Sequence, residues 1–219
     1  GARGAAGART PPSGRALLAT RRAGKGRKDS ADVAMRAARV VRRQERVRIA
    51  VGDLTGSLEL AQVGAALTDL TAATLQSALD IATRAVEGEL GRALGTRLLI
   101  VGMGRLGGGE MGYGSDADVM FVHRAGEGVD ESVAQKHATL VVQEVIRLLG
   151  QAGPDPQLVI DPDLRPEGKA GPLVRSLAGY VAYYERWSLN WEMQALLRAA
   201  PIAGDTELGL AFCDLINPI

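Results

Sequence analysis

Between two short apolar runs, residues 98–101 and 119–122, the chain places seven glycines in thirteen positions: Gly102, Gly104, Gly107, Gly108, Gly109, Gly112 and Gly114. A helix through that stretch would lose about 1 kcal/mol at each glycine relative to alanine, so the connection reads as a loop. The runs on either side, Leu-Leu-Ile-Val and Val-Met-Phe-Val, have the length and composition of buried strands. Downstream, Asp130 stands where a helix cap is needed, and Val133, Ala134, Val141, Val145 and Leu148 follow at helical spacing as far as Gly150. Pro154 and Pro156 forbid helix before a third strand at 158–160, which ends at Asp161.

Upstream the pattern is helical. From Val33, the positions Ala37, Val40, Val47 and Val51 recur as an apolar stripe, with Arg36, Arg39, Arg43 and Arg46 opposite. A second helix over 62–94 carries Leu67, Leu75, Leu79, Ala82, Val86 and Leu90 and is closed by Gly95. Helix is expected again from Leu177, where Tyr180, Tyr183, Tyr184, Trp187 and Trp191 have the spacing of a helix packing a core. The fold class is therefore α/β (α+β), a sheet flanked by helices with a preceding helical scaffold. Its divisions are a flexible basic linker at 1–31, a helical scaffold at 32–95, a catalytic core at 96–176 and the start of a C-terminal helical region at 177–219.

Residues 1–48 hold 14 of the 26 basic groups, although the net charge is only +1. No aromatic residue precedes Tyr113, so this basic part lacks a base-stacking platform and no nucleic acid is expected. No apolar run approaches the roughly 20 residues that cross a bilayer, so no membrane partner is expected and the cytoplasm is the expected location. The single cysteine, Cys213, excludes an internal disulfide and a cysteine zinc site. His123 and His137 have no partner at metal-ligand spacing and read as a strand-end and a helix-surface residue; Glu192 and Arg198 read as helix-stabilising. A start at Gly1 and a stop at Ile219 suggest a piece of a longer protein.

The stretch from Val101 to Gly107 fits G-x-G-x-x-G after a strand, the dinucleotide fingerprint, so a Rossmann-type NAD-dependent oxidoreductase is one alternative. That fold needs a long helix directly after Gly107. The acids argue differently. Asp116 and Asp118, one residue apart in extended chain, leave the same face, and Asp161 at the end of another strand is placed to join them. Three carboxylates of this kind suit a magnesium site, with two ions clamping the attacking and leaving oxygens of a phosphoryl displacement. Asp161 could also take the proton of an attacking hydroxyl. The glycines allow close approach of backbone N–H groups to phosphate, and Ser115 adds a hydroxyl. Arg165 and Lys169, on a loop after Asp161, are candidate cations for the triphosphate. A catalytically dead nucleotide-sensing module would keep the glycines and need not keep the acids.

Gly107-Gly108 followed by Ser115-Asp116-Ala117-Asp118-Val119 resembles the signature of the DNA polymerase beta type nucleotidyltransferase superfamily. Three longer stretches narrow the resemblance: Gly102 to Glu110, Tyr113 to Asp118, and Asp161-Pro162-Asp163-Leu164-Arg165-Pro166-Glu167-Gly168. They look like the glutamine synthetase adenylyltransferase family, bifunctional enzymes with one domain that attaches AMP to a tyrosine of glutamine synthetase and one that removes it by phosphorolysis. Residues 191–205, Trp191 to Asp205, are closer to the attaching, C-terminal half. The resemblance implies a polymerase-beta-like sheet, ATP as substrate, Mg2+ held by Asp116, Asp118 and Asp161, and a triphosphate loop of Gly107, Gly108 and Ser115. It also implies glutamine synthetase as protein substrate and nitrogen-signalling regulator proteins as partners. Pro162 and Asp163 fall where many relatives carry other residues.

Overall fold

The computed structural model describes residues 28–187 and 189–217; of the linker expected over 1–31, residues 1–27 lie outside the described residues and 28–31 are already helical. Two long helices come first, α1 (Lys28–Leu54) and α2 (Leu60–Leu90), packed against each other. Helix α2 opens on a capping box, in which Glu59 N–H donates to Gln62, and it is unbroken over its 31 residues. It ends at Gly91, which takes φ 65 as a left-handed cap, four residues before the glycine expected to end it.

A five-stranded sheet lies beside them: β1 (Thr96–Gly102), β2 (Ala117–Ala125), β3 (Ile160–Asp161), β4 (Val174–Ser176) and β5 (Ala200–Gly204). The order is β3-β2-β1-β5, with β1 antiparallel to both β2 and β5. The outer edge of β2 is shared by two short parallel strands, β3 at its beginning and β4 further on. The sheet is thus mixed, as a polymerase-beta-like nucleotidyltransferase requires. The strand expected at 158–160 is shifted to Ile160–Asp161, because Leu158 is buried ahead of the ladder and Ala117 N–H takes the Val159 carbonyl.

Both faces of the sheet are covered, which is why the strands read as unbroken apolar runs. Leu98, Ile100, Val119 and Phe121 face α1, α2 and the helix α4 (Glu131–Gly150). The alternate residues Leu99, Val101, Met120 and Val122 pack on Tyr180, Tyr183 and Tyr184 of α5 (Leu177–Arg186), on Leu196 of α6 (Asn190–Leu196), and on Leu208 and Phe212 of α7 (Thr206–Ile216). Asp130 caps α4 by accepting from the N–H groups of Ser132 and Val133. The tyrosines form core as expected, whereas Trp187 and Trp191 are exposed. Both histidines are buried, His123 against Gln135 and His137 beneath Gly95, so neither is a surface residue. The region expected to be helical from 177 also supplies β5, which joins the sheet beside β1.

The faces of α1 differ most from expectation. Met35, Ala38 and Ile49 are buried, together with Arg39 and Arg42, while Val33, Val40, Val47 and Val51 are exposed. Arg39 donates to the carbonyls of Leu148 and Leu149 at 2.7 and 2.9 Å and to that of Gln151, ending α4 with a cation where its carbonyls lack partners. One turn on, Arg42 donates to the Pro156 carbonyl at 2.8 Å and Arg46 to the Tyr113 carbonyl at 2.7 Å. These bonds satisfy loop carbonyls that would otherwise be stranded, and they outweigh the pull of the valines toward the interior.

Candidate active site

The glycine loop leaves β1 through a single helical turn, α3 (Gly104–Gly107), and returns to β2 without further helix. A dinucleotide fold would continue that helix and would place a parallel strand next to β1, so the NAD reading is excluded.

Asp118 and Asp161 are register partners on the parallel pair β2 and β3, so their side chains leave the same face of the sheet side by side. Asp116 lies two residues before Asp118 and is exposed at the mouth of the site. The Asp118 carboxyl is pushed above the usual carboxylate range, first by burial and then by the charges of Asp161 and Asp116. Among the described residues no Lys or Arg stands within ion-pair distance of any of the three.

A cleft of about 440 Å³ opens over Asp116 and Asp118, lined by these two with Gly104, Arg105, Ser115 and Arg198, while Asp161 stands beside Asp118 on the next strand and is not part of the lining. Gly104 sits at φ +52, and a Cβ there would approach Asp118 Oδ2 to 2.7 Å, so only glycine fits against the carboxylate. Ser115 Oγ accepts from the Gly112 N–H at 3.0 Å, which folds the loop and leaves the hydroxyl hydrogen free to point into the cleft. Asp161 Oδ1 accepts from the Asp163 N–H at 2.8 Å, leaving Oδ2 without that restraint.

Gly107 and Gly108 do not line this cleft. A Cβ on Gly107 would collide with the Arg198 carbonyl, and one on Gly108 with the Arg198 guanidinium, so their absent side chains make room for Arg198. Arg198 itself pairs with Glu110 across the glycine loop. It lies beyond the end of α6 and faces the cleft, in a place no local spacing predicts, since Glu110 is 88 positions away. Arg105 is the other cation the sequence reading passed over; its signal was position, between Gly104 and Gly107 in the loop that leads to the acids.

Arg165 and Lys169, the candidate cations for the triphosphate, are both engaged within their own loop. The Arg165 side chain is buried and donates to the carbonyls of Pro162 at 2.8 Å and Gly171 at 3.3 Å, which closes the loop on itself. Lys169 is exposed and pairs with Asp163 at 3.2 Å. The same loop contains the one described non-glycine residue at positive φ, Glu167 at φ 65, a conformation costing about 1 kcal/mol or more. Its N–H donates to Glu192 at 3.3 Å and its carboxylate takes Arg175 at 2.6 Å, which holds it there. Glu192 is buried and also accepts from Tyr183 and from the Leu189 N–H, so beyond starting α6 it ties that helix to the loop after Asp161.

Residues 11–214 match the glutamate-ammonia ligase adenylyltransferase family. Three similar curated proteins are each named bifunctional glutamine synthetase adenylyltransferase/adenylyl-removing enzyme. The one from Streptomyces avermitilis is 50% identical over 94% of this chain and 22% of its own length. That from Mycolicibacterium smegmatis is 50% identical over 85% of this chain and 18% of its own length. The third, from Mycobacterium tuberculosis, is 50% identical over 84% of this chain and 18% of its own length. The chain thus spans about a fifth of the length of the curated relatives it matches. With a family match over most of the chain and an acid-lined cleft beside a glycine loop, the chain belongs to the glutamate-ammonia ligase adenylyltransferase family.

Proposed function

We propose that this chain is the catalytic core of an enzyme that moves AMP from ATP to a tyrosine hydroxyl of glutamine synthetase, in the cytoplasm and under nitrogen-signalling regulator proteins. The observation that carries the reading is the register pairing of Asp118 with Asp161, with Asp116 two residues upstream, beneath a cleft rimmed by two arginines.

The donor set fits magnesium. Among the described residues no three acid, histidine or cysteine side chains stand together as a ready-made cage. Magnesium needs none, because it binds through one or two carboxylates and completes its shell with water and substrate phosphates. Asp116 and Asp118 would hold it, with Asp161 beside them, and a cation would offset the burial and the neighbouring negative charges that raise the Asp118 carboxyl. When bound, magnesium neutralises phosphate charge and aligns the incoming and departing oxygens.

The remaining work falls to the chain. Asp161 Oδ2 accepts the tyrosine proton as the phenolic oxygen forms its bond to the α-phosphorus, and the bond from that phosphorus to the α–β bridging oxygen breaks to release pyrophosphate. Arg105 and Arg198 meet the triphosphate from the rim, Ser115 donates to a phosphate oxygen, and Gly107 and Gly108 let Arg198 sit close enough to act. Arg165 and Lys169 serve the shape of the Asp161 loop.

The relatives' name carries both attachment and removal of the adenylyl group, so phosphorolytic removal is the second reading. The resemblance of residues 191–205 to the attaching half favours attachment. Labelled ATP with glutamine synthetase should give magnesium-dependent label transfer by this chain and by the longer protein that contains it. Release of ADP from adenylylated synthetase and phosphate, with no transfer in the first assay, would reverse the direction. Binding of ATP with neither reaction would make the chain a nucleotide-sensing module.

A further inference from the structure

The outward valines of α1 have an order of their own. Val33, Ala37, Val40, Gln44, Val47, Val51 and Leu54 follow one another at steps of 4, 3, 4, 3, 4 and 3, the spacing of a coiled-coil seam. The seam is exposed: Val47 is 59% and Leu54 87% accessible, and Val33, Val40 and Val51 are exposed with them. Its opposite side, Met35, Arg42 and Ile49, is the line by which α1 is held to its own domain. A seam of this spacing gains nothing for the fold it belongs to, and it leaves an apolar strip more than five turns long in water.

We propose that this seam docks a second amphipathic helix with acidic flanks, supplied by the part of the full-length polypeptide that lies outside this stretch. The charges choose the occupant. Of the arginines at positions flanking the seam, Arg43 already pairs with Asp155 at 2.7 Å and Arg48 with Glu45 at 2.8 Å, which leaves Arg36 as the cation for a partner to meet. A second copy of α1 has no acid at its own flanking positions to meet Arg36. Residues 1–27 contain no Asp or Glu, so they offer Arg36 no partner either. The curated relatives carry about four fifths of their length outside the region matched here, which provides ample chain for such a helix. Gln44, in the middle of the seam, would fix the register of the pair, as a single polar seam residue does.

The test is thiol accessibility. Val47→Cys is introduced into the 219-residue chain and into the full-length protein, and maleimide labelling is followed peptide by peptide by mass spectrometry. Labelling should be at least about tenfold slower in the full-length protein, and Arg36→Glu should restore much of the lost rate there while leaving the 219-residue chain unchanged. Equal, fast labelling in both proteins overturns the proposal. So does protection already present in the 219-residue chain, which would mean a second copy or its own first residues, with sedimentation separating those two. Protection indifferent to Arg36→Glu removes the acidic helix as occupant.

Discussion

The two loops that border the carboxylates use their charges in opposite ways. In the loop over 162–171 each charged side chain is matched: Asp163 with Arg165 and Lys169, and Glu167 with Arg175. Across from it, Asp116 and Asp118 line the cleft with Asp161 beside Asp118 on the next strand, none of the three has an ion-pair partner among the described residues, and two arginines stand on the rim, one of them held by Glu110. A balanced loop is finished without a ligand, whereas an unbalanced cleft is completed only by one. Charge that is left over after folding is the mark of where the substrate goes.

Asp118→Asn breaks the comparison at its centre. Activity should fall on the order of 10³-fold or more, since a metal-binding charge is lost from the transition state. The metal-free protein should instead gain stability near neutral pH. Because the folded protein raises this carboxyl above its ordinary value, ionising it costs stability at higher pH, and the cost disappears as pH falls below the usual carboxylate range. Thermal melts in chelator should therefore show a variant advantage that closes in acid. Full activity, or a variant less stable at neutral pH, would mean that the cleft is as balanced as the loop.

The rim comes next. Arg198→Ala or Arg105→Ala should each lower kcat/KM for ATP by about 10- to 100-fold, the worth of one charge-assisted hydrogen bond to phosphate, with little change in melting temperature. An exposed pair such as Arg198 with Glu110 contributes about 0–1 kcal/mol, so releasing Arg198 to a triphosphate is cheap. A loss of stability without loss of activity would move Arg198 to the balanced class.

Loop substitutions should have the reverse signature and the smallest effects. Arg165→Met removes the side-chain donors to the Pro162 and Gly171 carbonyls, leaving Pro162 only the longer bond from the Arg165 N–H at 3.3 Å, and should cost about 1–3 kcal/mol of stability. Lys169→Ala, at an exposed pair, should change activity less than about twofold. A large drop in ATP affinity for Lys169→Ala with the fold intact would restore it as a phosphate contact.

Much of the sheet was legible in the sequence because its signals are local. Leu98 to Val101 is unbroken because both faces of β1 are buried, and Asp130 announces α4 because a cap needs only the next two N–H groups. The placing of Asp161 beside Asp118 also follows from strand ends. What escaped depends on distant partners. Arg39 and Arg42 go inward for carbonyls more than 100 positions away, and no periodicity records that. The segment of β5, Ala-Pro-Ile-Ala-Gly, falls in a region expected to be helical and is a strand because β1 offers it an edge. Arg198 joins the cleft through a contact 88 positions off.

Arg39, Arg42 and Arg46 of α1 also say something about the order in which the molecule comes together. Helices α1 and α2 are neighbours in sequence and can associate after closing only the short turn between them. The bonds from Arg39 and Arg42 close loops of 109 to 114 residues, and that of Arg46 one of 67. Entropy makes such closures late events. The hairpin should therefore exist before the segments entering β2 and β3 are fixed, so that the carboxylates meet only near the end. Pulse-labelled hydrogen exchange during refolding should find the amides of α2 protected ahead of those at 113–118 and 156–161, and the reverse order would show that the cleft builds the scaffold.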